Sequence, residues 1–169
     1  MPRLMAELEA QGITDYEFWP GVFKYDSVKQ NVNAAHRQIV EYAQLAEWPE
    51  VAIAEDDVKF FGEGAWQFFL DNKPDDYDLY LSSVYVGDLK VDDTVEHFCG
   101  FGLYIVNQRF YDKFLAVDKH EHIDRAMKGK GKFVVCNPFV AEQYDGHSSN
   151  TGKDEKYRNL LSGRNLFGI

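Results

Sequence analysis

The sequence predicts an α/β domain with a mixed, mainly parallel sheet flanked by helices. Two observations carry this. Short apolar runs at residues 51–54, 79–86, 98–106 and 133–135 alternate along the chain with stretches whose apolar residues recur at helical spacing. The run Val51-Ala-Ile-Ala54 is too short for a helix and shows no polar alternation. It reads as an interior strand buried on both faces, as in a parallel sheet.

The elements follow in order. Leu4, Met5 and Leu8 share a helical face and Gly12 stops it, which predicts a short amphipathic helix over residues 2–11. Residues 13–19 are aromatic-rich and extended, and Pro20-Gly21 punctuates them. Asp26 or Ser27 caps a longer helix reaching Glu47, with Val28, Val32, Ala35, Ile39, Tyr42, Ala43 and Ala46 at the 3.6-residue period. Trp48-Pro49 ends it, and the strand at 51–54 follows. A helix over 64–70 turns Trp66, Phe69 and Leu70 inward, and a polar turn around Pro74 leads to the strand 79–86. Residues 87–96 are an acidic surface loop or hairpin. Gly100 and Gly102 inside the next apolar run mark a bulge or a close backbone approach. Asn107 caps a helix over 108–117, a second helix covers 120–127, and Lys128 to Lys132 form a basic turn. The strand 133–135 is broken by Asn137-Pro138; a polar segment over 140–153 and a weak helix over 157–161 complete the chain. No repeat or linker divides these pieces, and 169 residues fit one domain.

Composition narrows the function. With 45% hydrophobic residues a full core is available, but the net charge of −10 argues against a nucleic-acid partner, whose phosphates need a basic surface. A single nucleotide carried on a metal stays compatible with that charge. Aromatic residues make up 15% of the chain; most serve the core, and some suit stacking on a base or a sugar ring. Cys99 and Cys136 form neither a zinc knuckle nor a disulfide framework. No apolar run has the length of a membrane span and no signal-peptide pattern opens the chain, so a cytoplasmic location is expected.

The chemistry concentrates at Glu55-Asp56-Asp57, at the carboxyl end of the 51–54 strand, where open α/β sheets bind ligands. Three adjacent carboxylates repel one another, and a divalent cation with oxygen ligands, Mn²⁺ or Mg²⁺, is the natural relief. In an extended chain Glu55 and Asp57 point the same way and Asp56 the other, so Glu55 with Asp57 is the pair able to share a metal. The competing reading is a solvated acidic strand end. His36, on the apolar side of its helix, reads first as a buried histidine with satisfied hydrogen bonds. His147 lies in a polar loop, where an imidazole could complete a metal shell, and Asp124 is a possible general base.

The order of these pieces resembles the lipooligosaccharide-type glycosyltransferases, family 25 of the sugar transferases. Ala35-His-Arg-Gln-Ile resembles that family's Ser-His segment, and Val51-Ala-Ile-Ala-Glu-Asp-Asp-Val resembles its strand ending in Glu-Asp-Asp. Gly100-Phe-Gly-Leu-Tyr104-Ile-Val is similar to its Gly-x-x-x-Tyr strand. Asp124 follows in a short helix, and Pro138-Phe-Val-Ala-Glu-Gln143 with Ser148 is similar to its closing segment. The ordered match spans roughly residues 3 to 150. The resemblance implies a GT-A-like, Rossmann-like fold and transfer of a sugar from a nucleotide-sugar donor to a glycan acceptor of lipopolysaccharide type. It implies a divalent metal on Glu55 and Asp57, with His147 as a late ligand and Asp124 as acceptor base. It implies donor binding by His36, Asp56, Gly100, Tyr104, Gln143 and Ser148.

Two features depart from the family. Ala35 stands where it usually has Ser, and the sequence enters the first helix at Pro2-Arg3, where the family has a strand and a basic segment ahead of it. The chain is therefore expected to be a truncated frame, a minimal variant or an inactive relative. The alternatives to an enzyme of this family are a non-catalytic GT-A-like nucleotide- or glycan-binding module and a metal-dependent phosphoesterase on the same carboxylates.

Overall fold

Val51 and Ile53 face inward along the first strand, β1 (Glu50–Ala54), while Ala52 and Ala54 are exposed. In the computed structural model, which describes residues 2–148 and 151–169, β1 pairs antiparallel with β5 (Leu103–Asn107). The other face of β5 pairs antiparallel with β3 (Leu79–Leu81). Next to β3 runs β6 (Phe133–Val135) in parallel, and β4 (Thr94–Val95) closes the far edge antiparallel to β6. The sheet order is β1-β5-β3-β6-β4, a mixed sheet in an α/β fold.

Two expectations are corrected here. The sheet is mainly antiparallel: β3 with β6 is its one parallel pairing among the described residues. β1 is an edge strand, with β5 as its partner, and is not interior. Alanine explains the misreading. Ala52 and Ala54 extend the apolar run in the sequence, yet two methyl groups cost little when left in solvent.

Helices cover both faces. On one side α2 (Val28–Leu45) lays His36, Val40 and Ala43 against the sheet, where Val51, Ile53, Tyr104 and Val106 share its core. A 3₁₀ turn (Gln108–Phe110), α4 (Tyr111–Leu115) and α5 (Ile123–Ala126) extend that layer. The Asn107 side chain caps the turn by accepting the Arg109 N–H at 3.1 Å. Ser27 holds the N-cap position of α2 but makes no side-chain capping bond. On the other face lie α1 (Pro2–Ala10), α3 (Ala65–Asp71) and a two-stranded ribbon of β2 (Val58–Phe60) with β7 (Ala141–Gln143). They pack on Tyr80, Leu103, Ile105, Val134 and Cys136. Residues 103–106 of β5 are all buried because both layers meet on that strand.

Several boundaries move for local reasons. The apolar run 98–106 becomes a strand only from Leu103, since Gly100 takes a φ of 111° that interrupts extension. The polar stretch 140–153 contributes β7 and most of a ribbon of β8 (Gly146–Ser148) with β9 (Lys153–Glu155). That second ribbon is largely exposed, so no apolar alternation announced it. Residues 13–25 form no strand. The last helix, α6 (Tyr157–Leu160), is tied down by Arg158, whose guanidinium donates to both oxygens of buried Glu142 at 2.7 and 2.8 Å.

Phe69, fully buried on α3, stacks on Tyr80 of β3 with centroids 4.4 Å apart and planes at 7°. This contact fastens the α3 layer to the sheet. Phe69→Ala is expected to lower stability by about 3–5 kcal/mol, measured as a shift in the urea unfolding curve.

Candidate functional site

Beyond Ala54 the chain leaves the sheet through a tight turn at Asp56-Asp57 and returns at once as β2. The Val58 N–H donates to the Glu55 carbonyl at 3.3 Å to close the turn. Pairing of β2 with β7 sets Gln143 opposite Val58. From there the Gln143 side-chain amide donates to Glu55 Oε2 at 2.8 Å and to both oxygens of Asp57 at 3.1 Å. Glu55 and Asp57 thus converge, as their spacing predicts, although a turn and not continued extension brings them together. Asp56 is exposed on the turn.

His36 backs this pair. It is 6% exposed, and its Nε2 lies 3.2 Å from Glu55 Oε1 while its Nδ1 lies 2.7 Å from the Tyr104 hydroxyl. A carboxylate only accepts, so Nε2 carries a proton; in the neutral ring Nδ1 then accepts from the Tyr104 O–H. Tyr104 is held at this point because β5 pairs it with Ile53 and because Phe101 stacks on its ring at 4.1 Å.

The glycines make room for the other wall. A Cβ at Gly100 would come within 2.7 Å of the Tyr85 ring, and one at Gly102 within 3.3 Å of the Gln143 Cγ. Tyr85 uses that space to accept the Gln143 backbone N–H on its hydroxyl at 2.6 Å. Tyr157 packs on Tyr85 with centroids 5.1 Å apart, and Ser148 lies beside Tyr157. An open hollow of about 450 Å³ in front of Asp56 and Asp57 is lined by Pro2, Arg3 and Tyr144.

Burial pushes the Asp57 carboxyl up to about 6, and the neighbouring Glu55 charge adds to the effect against the Gln143 hydrogen bond. Burial, with Glu55 behind it, also raises Tyr104, and burial raises Tyr85. Both phenols therefore keep their protons at neutral pH.

Two predicted site residues stand elsewhere. Asp124 accepts the Gly100 N–H at 3.0 Å and the Arg125 N–H at 2.8 Å, which pins the glycine loop to α5. His147 is largely exposed on β8 and bonds Asp154 of β9 at 3.3 Å. No group of three His, Cys, Asp or Glu side chains able to hold a metal forms among the described residues, so His147 is not joined to Glu55 and Asp57. Tyr85 and Tyr144 escaped the sequence reading. For Tyr85 the signal was Gly100, a glycine in an apolar run that leaves space for a ring.

No protein-family model matches the chain, and no curated protein matches it either. No helix among the described residues is long and apolar enough to cross a membrane.

The raised Asp57 pKa has a definite sign. Below the unfolded value both states are protonated; stability is lost as pH rises from there to about 6, because the unfolded carboxyl gives up its proton first, and the loss is complete once pH passes about 6. Asp57→Asn is expected to gain about 2–3 kcal/mol over the native chain near pH 8 and almost nothing at pH ~3, below the unfolded value, read from urea unfolding at both.

Proposed function

We propose that the chain is a GT-A-like glycosyltransferase that moves a sugar from a nucleotide-sugar donor to a glycan acceptor with the help of a divalent metal. The observation that carries this reading is the pairing of Glu55 and Asp57 at the carboxyl end of β1, bridged by Gln143 and backed by His36. The donor set fits a hard cation. Two carboxylates would supply oxygen ligands, and the Gln143 amide N–H groups that lie between them mark where positive charge is wanted. Mg²⁺ and Mn²⁺ commonly take one or two carboxylates and complete their shell with substrate phosphates and water. Such an ion would neutralise the leaving diphosphate as its charge builds. In this reading His36 and Tyr104 hold Glu55 in place and Gln143 sets the separation of the acids. The hollow by Arg3 and Tyr144 receives the donor.

A non-catalytic donor-binding module is the second reading, and the engagement of Asp124 favours it. Both Asp124 oxygens already accept backbone N–H groups, which leaves that residue a poor acceptor base.

A thermal-shift and turnover experiment separates the readings. Nucleoside diphosphate with Mn²⁺ is expected to raise the melting temperature by several degrees, as ligand at about a hundred times its Kd adds about 2.7 kcal/mol. Either component alone should do less. Asp57→Ala should abolish the metal-dependent part, Glu55→Ala should weaken it, and Asp56→Ala should do least. Release of nucleoside diphosphate from a donor sugar with a glycan acceptor present supports the enzyme. Metal-dependent binding without release across a broad acceptor panel supports the module. No metal-dependent shift with any common nucleoside diphosphate overturns both.

A further inference from the structure

Glu142 is a buried acid outside the pair formed by Glu55 and Asp57. It lies on β7, 4% exposed, where the β2–β7 register sets Lys59 across from it. A carboxylate taken out of water is costly unless cations and N–H groups meet it. Arg158 of α6 donates to it from Nε and Nη2, and Lys59 Nζ lies 3.3 Å from its Oε1. That buried anchor fixes the direction of two long cationic side chains, whose ordering costs entropy. Phe61 supports one of them, with its ring centroid 4.8 Å from the Arg158 guanidinium.

A third cation arrives from α1. Arg3 lies over the Tyr144 ring at 5.3 Å, and Lys59 over the same ring at 5.6 Å. Tyr144 is itself fastened, since its hydroxyl donates to Glu7. Arg3, Lys59 and Arg158 thus line one open cleft of about 440 Å³, which exposed Asp145 also borders. The acids nearby are engaged. Besides Glu142, Glu7 accepts the Phe60 N–H at 2.9 Å, and one oxygen of Asp145 accepts the Tyr157 N–H at 2.9 Å. The cations have donors left over. Among the described residues the Arg3 guanidinium makes no hydrogen bond or ion pair, and Arg158 Nη1 makes no hydrogen bond. Like charges gathered in one cleft repel one another, and an anion relieves that repulsion.

We infer that this cleft is a phosphate-binding site, which takes the phosphate monoester of a small sugar phosphate without a metal. Its cations come from three separate stretches, α1, β2 and α6, and a phosphate presents three terminal oxygens where a carboxylate presents two. The cleft is larger than a phosphate group and has the size of a small-ligand pocket, so the rest of the ligand has room. Asp145 keeps one carboxylate oxygen and Gln143 its amide oxygen, and both accept from hydroxyl groups such as those of a sugar. Neither Glu55 nor Asp57 lines this cleft, so the inference stands apart from the metal–nucleotide reading and does not need it.

The test is isothermal titration calorimetry of the full chain with glucose-6-phosphate in EDTA, so that no metal-borne phosphate contributes. Saturable binding is expected with a Kd of about 1 mM or tighter, none is expected for glucose, and inorganic phosphate should compete. Arg3→Ala removes an exposed side chain, and Lys59→Met keeps the alkyl stem and leaves Glu142 paired with Arg158, so both should fold. Each should weaken binding at least about fivefold, and if one does not fold the other is read. Lys130→Ala, on the exposed basic turn and outside the cleft, should change nothing. Gluconate, a carboxylate of similar size, should bind less well. Absence of saturable binding up to about 10 mM overturns the inference. So does binding indifferent to both cleft variants, an equal loss in Lys130→Ala, equal binding of gluconate or of glucose, or a failure of inorganic phosphate to compete.

Discussion

The side-chain amide of Gln143 is the contact on which the acidic site depends. Two carboxylates two residues apart in sequence are turned toward one another in a half-buried setting, where their repulsion is weakly screened. The amide has two N–H groups, and each carboxylate receives one. Nothing in β1 alone could place that donor. The β2–β7 register sets Gln143 across from Val58, the Tyr85 hydroxyl holds its backbone, and Gly102 leaves room for its stem. The site is thus assembled from four stretches that meet only when the ribbon packs against the sheet.

The second support is polar and deeper. Tyr104 and His36 form a short relay of hydrogen bonds that ends on Glu55, walled by Phe101. A polar group buried here without a partner would be costly, so the relay is complete at the ring nitrogens and fixes the Glu55 carboxylate in one orientation. Glu55 is held by two donors, and Asp57 by Gln143 on its side chain. The Asp57 pKa is raised chiefly by burial and then by the Glu55 charge, which the Gln143 hydrogen bond only partly offsets. An added cation between them would lower the Asp57 pKa again, which links the electrostatics of the site to the metal-dependent reading.

The edge position of β1 changes what surrounds this site. One side of the acidic turn is the packed ribbon and its hollow; the other is a strand whose outward backbone groups meet solvent. Asp124 works at a different junction, where it fastens the Gly100 loop to α5 and so maintains the opening that Tyr85 fills.

Local chemistry made much of this legible in the sequence. The long amphipathic helix, the cap at Asn107, the strand Phe133–Val135 and an acidic cluster at the end of the strand through Ala54 follow from periodicity, capping and local charge, although the turn that the cluster takes does not. The burial of His36 also follows, from its place on the inward face of the helix, which it shares with Asn33, Val40 and Ala43. Pairing was another matter. Whether β1 lay inside a parallel sheet or at the edge of an antiparallel one depends on which strands reach it first, and an Ala-Ile-Ala run reads alike in both. The bond from Gln143 to acids more than eighty residues away, the Tyr85 ring over Gly100 and the isolation of His147 from the acidic pair all arise from packing between distant segments. Sequence determined which residues carry charge, stiffness and apolar area. Only tertiary structure decided which of them share a hydrogen bond, because that choice belongs to the register between strands and not to any one of them.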